Sequence, residues 1–87
     1  MDFNLIQWTM RGKRRKSVLK YLKNNIKNPK LIAKELGFTL TNTSTTLKQL
    51  KDKKLVICKN PEDAFLRFYK ITELGKEVLK EIKKLEE

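Results

Sequence analysis

The sequence predicts a single, mainly helical α+β domain whose elements run helix, helix, helix, strand, strand, helix. Three observations predict it. Apolar residues recur at helical spacing in three tracts, within residues 13–26, 30–53 and 73–86. Two short β-branched runs, residues 55–59 and 67–72, flank the turn cluster Asn60-Pro61-Glu62-Asp63. A chain of 87 residues buries one core and not two.

The N-terminal segment, residues 1–11, has no clean period. Phe3, Leu5, Ile6, Trp8 and Met10 suit either a short helix or an apolar arm, and they need cover from the core or from a second subunit. Residues 13–24 or beyond read as a helix with Val18, Leu19, Leu22 and Ile26 on one face. Lys16, Lys20, Lys23 and Lys27 form a cationic stripe beside that face. Arg15 falls on the apolar side, where it is expected to snorkel or to pair with an acid. Asn28-Pro29 ends this segment and starts the next, because proline disfavours helix at the residue before it and suits a helix's first turn.

A short helix follows, with Leu31, Ile32 and Leu36 inward and Gly37 placed to stop it in the left-handed conformation. Thr39 is an N-cap for a third helix reaching about Lys53, whose inward face is Leu40, Thr43, Leu47 and Leu50 with Thr46 beside them. The hairpin over residues 55–72 is too short to stand alone and must pack on the helices. Thr72 caps a closing helix, residues 73–86, with Leu74, Val78, Leu79, Ile82 and Leu85 as its stripe. Glu73 and Glu77 lie near its positive end.

Composition narrows the chemistry. There is no histidine and one cysteine, so zinc-finger ligand sets and Ser-His or Cys-His nucleophiles lack a member. Cys58, in the run Leu55-Val56-Ile57-Cys58, reads as a small buried hydrophobe in preference to a reactive thiol. Gly12, Gly37 and Gly75 stand apart, so no glycine-rich phosphate loop is present. An enzyme is not expected, and no cofactor, metal or membrane partner is implied. The basic cluster follows the N-terminal apolar stretch instead of preceding it, which is the wrong order for a secretion signal. A cytoplasmic, nucleoid-associated location is therefore expected.

Charge is the positive signal. Twenty-one Lys and Arg against ten Asp and Glu give +11, and the block over residues 11–30 alone carries +9 with no acid. A concentrated cationic block points to a polyanion, and nucleic acid is the common one. The competing explanation is a lysine-rich surface kept for solubility or heat stability.

Residues 30–53 have the parts of a helix-turn-helix: Ala33 small where two helices cross, Gly37 at the turn, and Ile32, Leu36, Phe38 and Leu47 filling the wedge. A plain helical hairpin would contain similar pieces. Opposite the inward face of the third helix lie Thr41, Asn42, Thr45, Lys48 and Gln49, a polar set with no acid before Asp52. Asn and Gln bind adenine bidentately, Thr packs on a thymine methyl, and Lys reaches guanine or phosphate. These five are the candidate base contacts. Candidate phosphate contacts are Lys13, Arg14, Lys16, Lys20 and Lys23 of the basic block, the flanking Ser44 and Lys51, and Arg67.

Three phrases resemble the winged-helix regulators of the MarR and ArsR kind, especially small archaeal members. They are Ile32-Ala33-Lys34-Glu35-Leu36-Gly37, the run from Leu47 to Val56, and the run from Arg67 to Leu79 with its Thr-x-x-Gly helix start. The resemblance spans roughly residues 12–80 and implies a winged helix-turn-helix that binds double-stranded DNA and regulates transcription, with residues 55–72 as the wing. Two departures stand out. Thr43 and Thr46 occupy positions where Val and Ala are more usual, and the wing tip is Glu62-Asp63-Ala64-Phe65-Leu66, with neither glycine nor cation. That leaves Arg67 as the wing's best phosphate contact. A winged-helix protein–protein assembly module and an RNA-binding module remain open alternatives. A homodimer is expected, because one recognition helix reads only a few base pairs. Phe3, Ile6, Trp8, Val78, Ile82 and Leu85 are the surface expected to pair.

Overall fold

Side-chain caps set most of the helix starts in the computed structural model, which describes residues 2–63 and 65–87. Asp2 accepts from the Asn4 amide at 2.9 Å ahead of α1 (Phe3–Arg11). Asn28 accepts from the Leu31 amide at 2.9 Å ahead of α3 (Pro29–Leu36), with proline in the first turn. Thr39 accepts from the Asn42 amide at 3.1 Å ahead of α4 (Leu40–Asp52). Thr72 accepts from the Gly75 amide at 3.0 Å ahead of α5 (Glu73–Glu86). Each such cap stabilises its helix by about 1 kcal/mol. α2 (Lys13–Leu22) starts at Gly12 with no side-chain cap. Gly37 closes α3 at φ 72°, the left-handed turn expected of it. Met1 and the expected wing residue Ala64 lie outside the described residues.

The N-terminal segment is a helix, so the chain has one helix more than the order expected from sequence. α2 also ends sooner than expected. Asn25 donates its side-chain amide to the Tyr21 carbonyl at 2.7 Å, closing the last turn, and Ile26 is exposed instead of inward. The reason lies one residue further on. Lys27 must run extended, because it exchanges backbone hydrogen bonds with Tyr69 and adds a single bridge to the edge of the wing. The wing itself is β1 (Val56–Cys58) antiparallel to β2 (Tyr69–Ile71), with Val56 opposite Ile71 and Cys58 opposite Tyr69.

α2 is the central helix and packs against α1, α3, α4, α5 and β2. Val18, Leu19 and Leu22 from it meet Ile32, Leu47, Leu50, Leu55, Val56, Val78 and Ile82 in one core. Val78, Ile82 and Ile6 are therefore interior, not the free surface expected of them. Leu31 and Leu40, expected inward, are exposed. The buried threonines are satisfied locally: Thr43 and Thr46 donate their hydroxyls to the Thr39 and Asn42 carbonyls one turn back, at 2.9 and 2.8 Å. Thr9 does the same to the Leu5 carbonyl. Polar groups at the helix crossing thus cost no unpaired donor. Among the described residues no helix is long and apolar enough to cross a membrane.

Candidate nucleic-acid interface

α4 presents three sides. At 100° per residue, Thr43, Thr46, Leu47 and Leu50 form the buried side. Thr41, Thr45 and Lys48, with Asp52 at the C-terminal end, form the opposite ridge and are all exposed. Asn42 and Gln49 lie on one flank, and Leu40, Ser44 and Lys51 lie on the other. Each flank opens onto a basic neighbour.

The Asn42–Gln49 flank borders a concavity of about 690 Å³, closed on its far side by Lys13, Arg14 and Arg15 at the start of α2. Ser44, Lys48, Lys51 and one acid, Asp52, border a second, with Arg67 and Tyr69 of the wing opposite. The sequence-expected base set is thus split. Thr41, Thr45 and Lys48 share the ridge, whereas Asn42 and Gln49 turn toward α2. The expected phosphate set is split as well, with Lys13 and Arg14 at the first concavity and Ser44, Lys51 and Arg67 at the second.

Lys16 and Lys20 are elsewhere. Lys16 donates to the Glu86 carboxylate at 2.6 Å and Lys20 Nζ stands 3.9 Å from the same group. That flank of α2 faces α5. The opposite flank carries Tyr21, whose phenol pKa is raised by burial first and by Glu35 of α3 second. Lys23 sits at the exposed C-cap of α2. The cationic stripe of α2 therefore joins neither α4 concavity; only Lys13, Arg14 and Arg15, at the start of the helix, line one. Lys16 also holds the Glu86 carboxyl below the ordinary carboxylate value through that hydrogen bond.

Arg15 is half-buried and pairs with no acid among the described residues. Its guanidinium lies over the Trp8 ring, and the same residue lines the first concavity. The sequence reading did not place it in the site; the signal for it was the aromatic residue one element upstream.

The wing tip is stapled by two side chains. Asn60 donates to the Leu66 carbonyl at 2.6 Å and accepts from the Phe68 amide at 2.8 Å. Asp63 accepts from the Phe65 and Leu66 amides at 2.8 and 2.9 Å, and these two bonds, Leu66 first, lower its pKa. Arg67 donates through Nε to the Asp63 carbonyl at 2.9 Å. Phe65 is left 98% exposed. Cys58 is half-buried, its Sγ 4.0 Å from Asn60 Oδ1. Among the described residues no group of three or more Cys, Asp or Glu is placed to hold a metal ion.

No protein-family model matches the sequence, and no curated protein matches it. Solved structures do share the fold. The transcriptional repressor CouR, solved bound to a 23-mer DNA duplex, superposes with a TM-score of 0.75 at 29% identity, over 84% of this chain and 53% of that one. A G34K mutant of S. aureus MepR gives 0.79 at 21% identity, over 94% and 63%. A homodimeric winged helix-turn-helix DNA-binding domain from Mycobacterium bovis, described as a possible ArsR-family transcriptional regulator, gives 0.70 at 23%, over 93% and 71%. The chain thus spans little more than half of CouR and less than two thirds of MepR. The class these findings define is the winged helix-turn-helix fold, with α3–α4 as the helix-turn-helix and β1–β2 as the wing.

Proposed function

We propose that this chain binds duplex DNA sequence-specifically and regulates transcription as a homodimer, as a member of the MarR/ArsR kind near its small archaeal representatives. The observation that carries the reading is the polar ridge of α4, free of acid until Asp52 at its C-terminal end, between two basic concavities. Its 13 residues make a helix about 20 Å long, and an α-helix, about 10–12 Å across, fits the roughly 12 Å-wide major groove of B-DNA. Thr41, Thr45 and Lys48 then face base edges, and Asn42 and Gln49 reach bases from the α2 flank. Lys13 and Arg14 meet phosphates on one side of the groove, and Ser44, Lys51 and Arg67 meet them on the other. Lys16 and Lys20, already paired with Glu86, contribute long-range field more than direct contact. The duplex-bound CouR structure supports this reading on the same fold.

Dimerisation is supported by a shallow apolar depression between α1 and α5, lined by Phe3, Gln7, Met10, Arg11 and Leu85. Phe3 and Leu85 are each more than half exposed. The homodimeric Mycobacterium bovis domain is a precedent on this fold. Selection from a random duplex pool, with excess nonspecific DNA and a parallel RNA pool, tests the function. Enrichment of a short two-part duplex motif is the expected outcome. Enrichment of RNA alone, or of nothing, defeats the proposal.

A further inference from the structure

We infer that the wing engages DNA through an apolar tip, with Phe65 entering the minor groove as a wedge beside α4; this rests on the duplex-binding reading above. Phe65 is 98% exposed and Leu66 48%, with the Leu66 amide and carbonyl both hydrogen-bonded, to Asp63 and Asn60. The Asp63 carboxylate accepts from the Phe65 and Leu66 amides through one oxygen, which fixes the backbone that carries the exposed phenyl group. Phe65 and Leu66 share one groove with Leu40 and Ser44 of α4, Asn28 and Pro29 at the start of α3, and the cations Lys30 and Arg67. Its lining holds no acid.

Charge complementarity and continuity select DNA as the occupant. Ser44 and Arg67 belong both to this groove and to the Lys48–Lys51 concavity, so a duplex lying along the α4 ridge passes the tip. Lys30 and Arg67 bracket the apolar floor, as phosphates bracket the sugar walls of a minor groove. Apolar side chains, phenylalanine among them, insert between base steps from the minor groove and bend the duplex. A minor groove about 6 Å wide admits a phenyl edge once widened by such a bend. Glu62, exposed at the tip, and the charged Asp63 carboxylate are the groups among the described residues there that oppose contact.

The test uses the selected duplex with fluorophores at its ends, reading affinity, salt slope and bend together for the unaltered protein, Phe65→Ser, Phe65→Leu and Arg67→Ala. Phe65 makes no core contact, so its variants fold. Phe65→Ser is expected to lose about tenfold in affinity and most of the bend with an unchanged salt slope, while Phe65→Leu retains both. Arg67→Ala is expected to lower the salt slope. Wild-type affinity and bend in Phe65→Ser would overturn the wedge while leaving DNA binding intact, and so would an affinity loss with no change in bend. Failure of the unaltered protein to bind any duplex overturns both readings.

Discussion

The Arg15 guanidinium lies 4.2 Å from the centroid of the Trp8 ring, and Lys53 Nζ lies 5.4 Å from the same centroid. One indole thereby ties α1 to the start of α2 and to the end of α4. Gly12 makes room for it, since a Cβ there would sit 1.8 Å from Arg15 Nε. In a double-mutant cycle of Trp8→Leu and Arg15→Met, urea unfolding should show a coupling of about 0.5–1 kcal/mol. Gly12→Ala should displace Arg15 and shift Trp8 emission. Strict additivity in the cycle contradicts the contact.

Gly75 is the glycine whose backbone lies directly against another segment of the chain. A Cβ there would meet the Leu55 carbonyl oxygen at 2.3 Å and Ile71 Cγ1 at 2.6 Å. That oxygen is held by the Thr72 amide at 3.0 Å and the Thr72 hydroxyl at 3.1 Å, so it cannot retreat cheaply. Gly75→Ala is expected to destabilise by about 2–3 kcal/mol in urea unfolding. Gly37→Ala, with open space around it but φ 72°, should cost about 1 kcal/mol. Equal, negligible effects would contradict both expectations.

The carboxyl of Glu86 titrates below its ordinary value of 4.5, chiefly because Lys16 hydrogen-bonds it. A depressed folded-state pKa contributes stability above the unfolded value and loses it as pH falls through the folded one. The stability difference between wild type and Glu86→Gln should therefore shrink as pH drops below 4.5. By NMR, Lys16→Met should raise the Glu86 midpoint toward the ordinary value. A midpoint that does not move removes the pairing.

The apolar depression between α1 and α5 should be the dimer contact. Leu85→Glu and Phe3→Glu change exposed residues and leave the core intact. Light scattering behind a sizing column should show a dimer for wild type at tens of micromolar (roughly the range where modest interfaces associate) and a monomer near 10.3 kDa for the double variant. A wild-type mass of one chain would contradict the dimer.

Much of this architecture was legible because its signals are local. Thr39, Thr72, Pro29 and Gly37 mark helix ends through their own backbone chemistry, and all four do so in the structure. What sequence periodicity could not give was the neighbour of each exposed side. The lysine stripe of α2 reads as a nucleic-acid face until Glu86, 70 residues on from Lys16, is found beside it. Leu40 and Leu31 carry the right residue type for the core, but Leu40 lies at the margin of α4's buried arc and Leu31 lies on the side of α3 away from Ile32 and Ala33. Ile26 has the right spacing for α2, yet Lys27 is claimed by Tyr69 through backbone bonding. The ridge of α4 was readable since one helix's polar face depends on its own angles, whereas the two basic concavities depend on where α2 and the wing come to rest.

The central claim is that the α4 ridge reads sequence while its two basic margins hold phosphate. Measuring affinity against salt concentration, on the selected site and on random duplex, tests it in one experiment for three proteins: wild type and two double variants. Thr45→Ala/Lys48→Met should lose about 1–3 kcal/mol per base interaction on the selected site and much less on random DNA. Lys13→Ala/Arg14→Ala should weaken both duplexes alike and reduce the log–log salt slope by about 0.9 for each phosphate that is no longer neutralised. A ridge variant that binds both duplexes as wild type does, or a Lys13/Arg14 variant that keeps the wild-type slope, would contradict the claim.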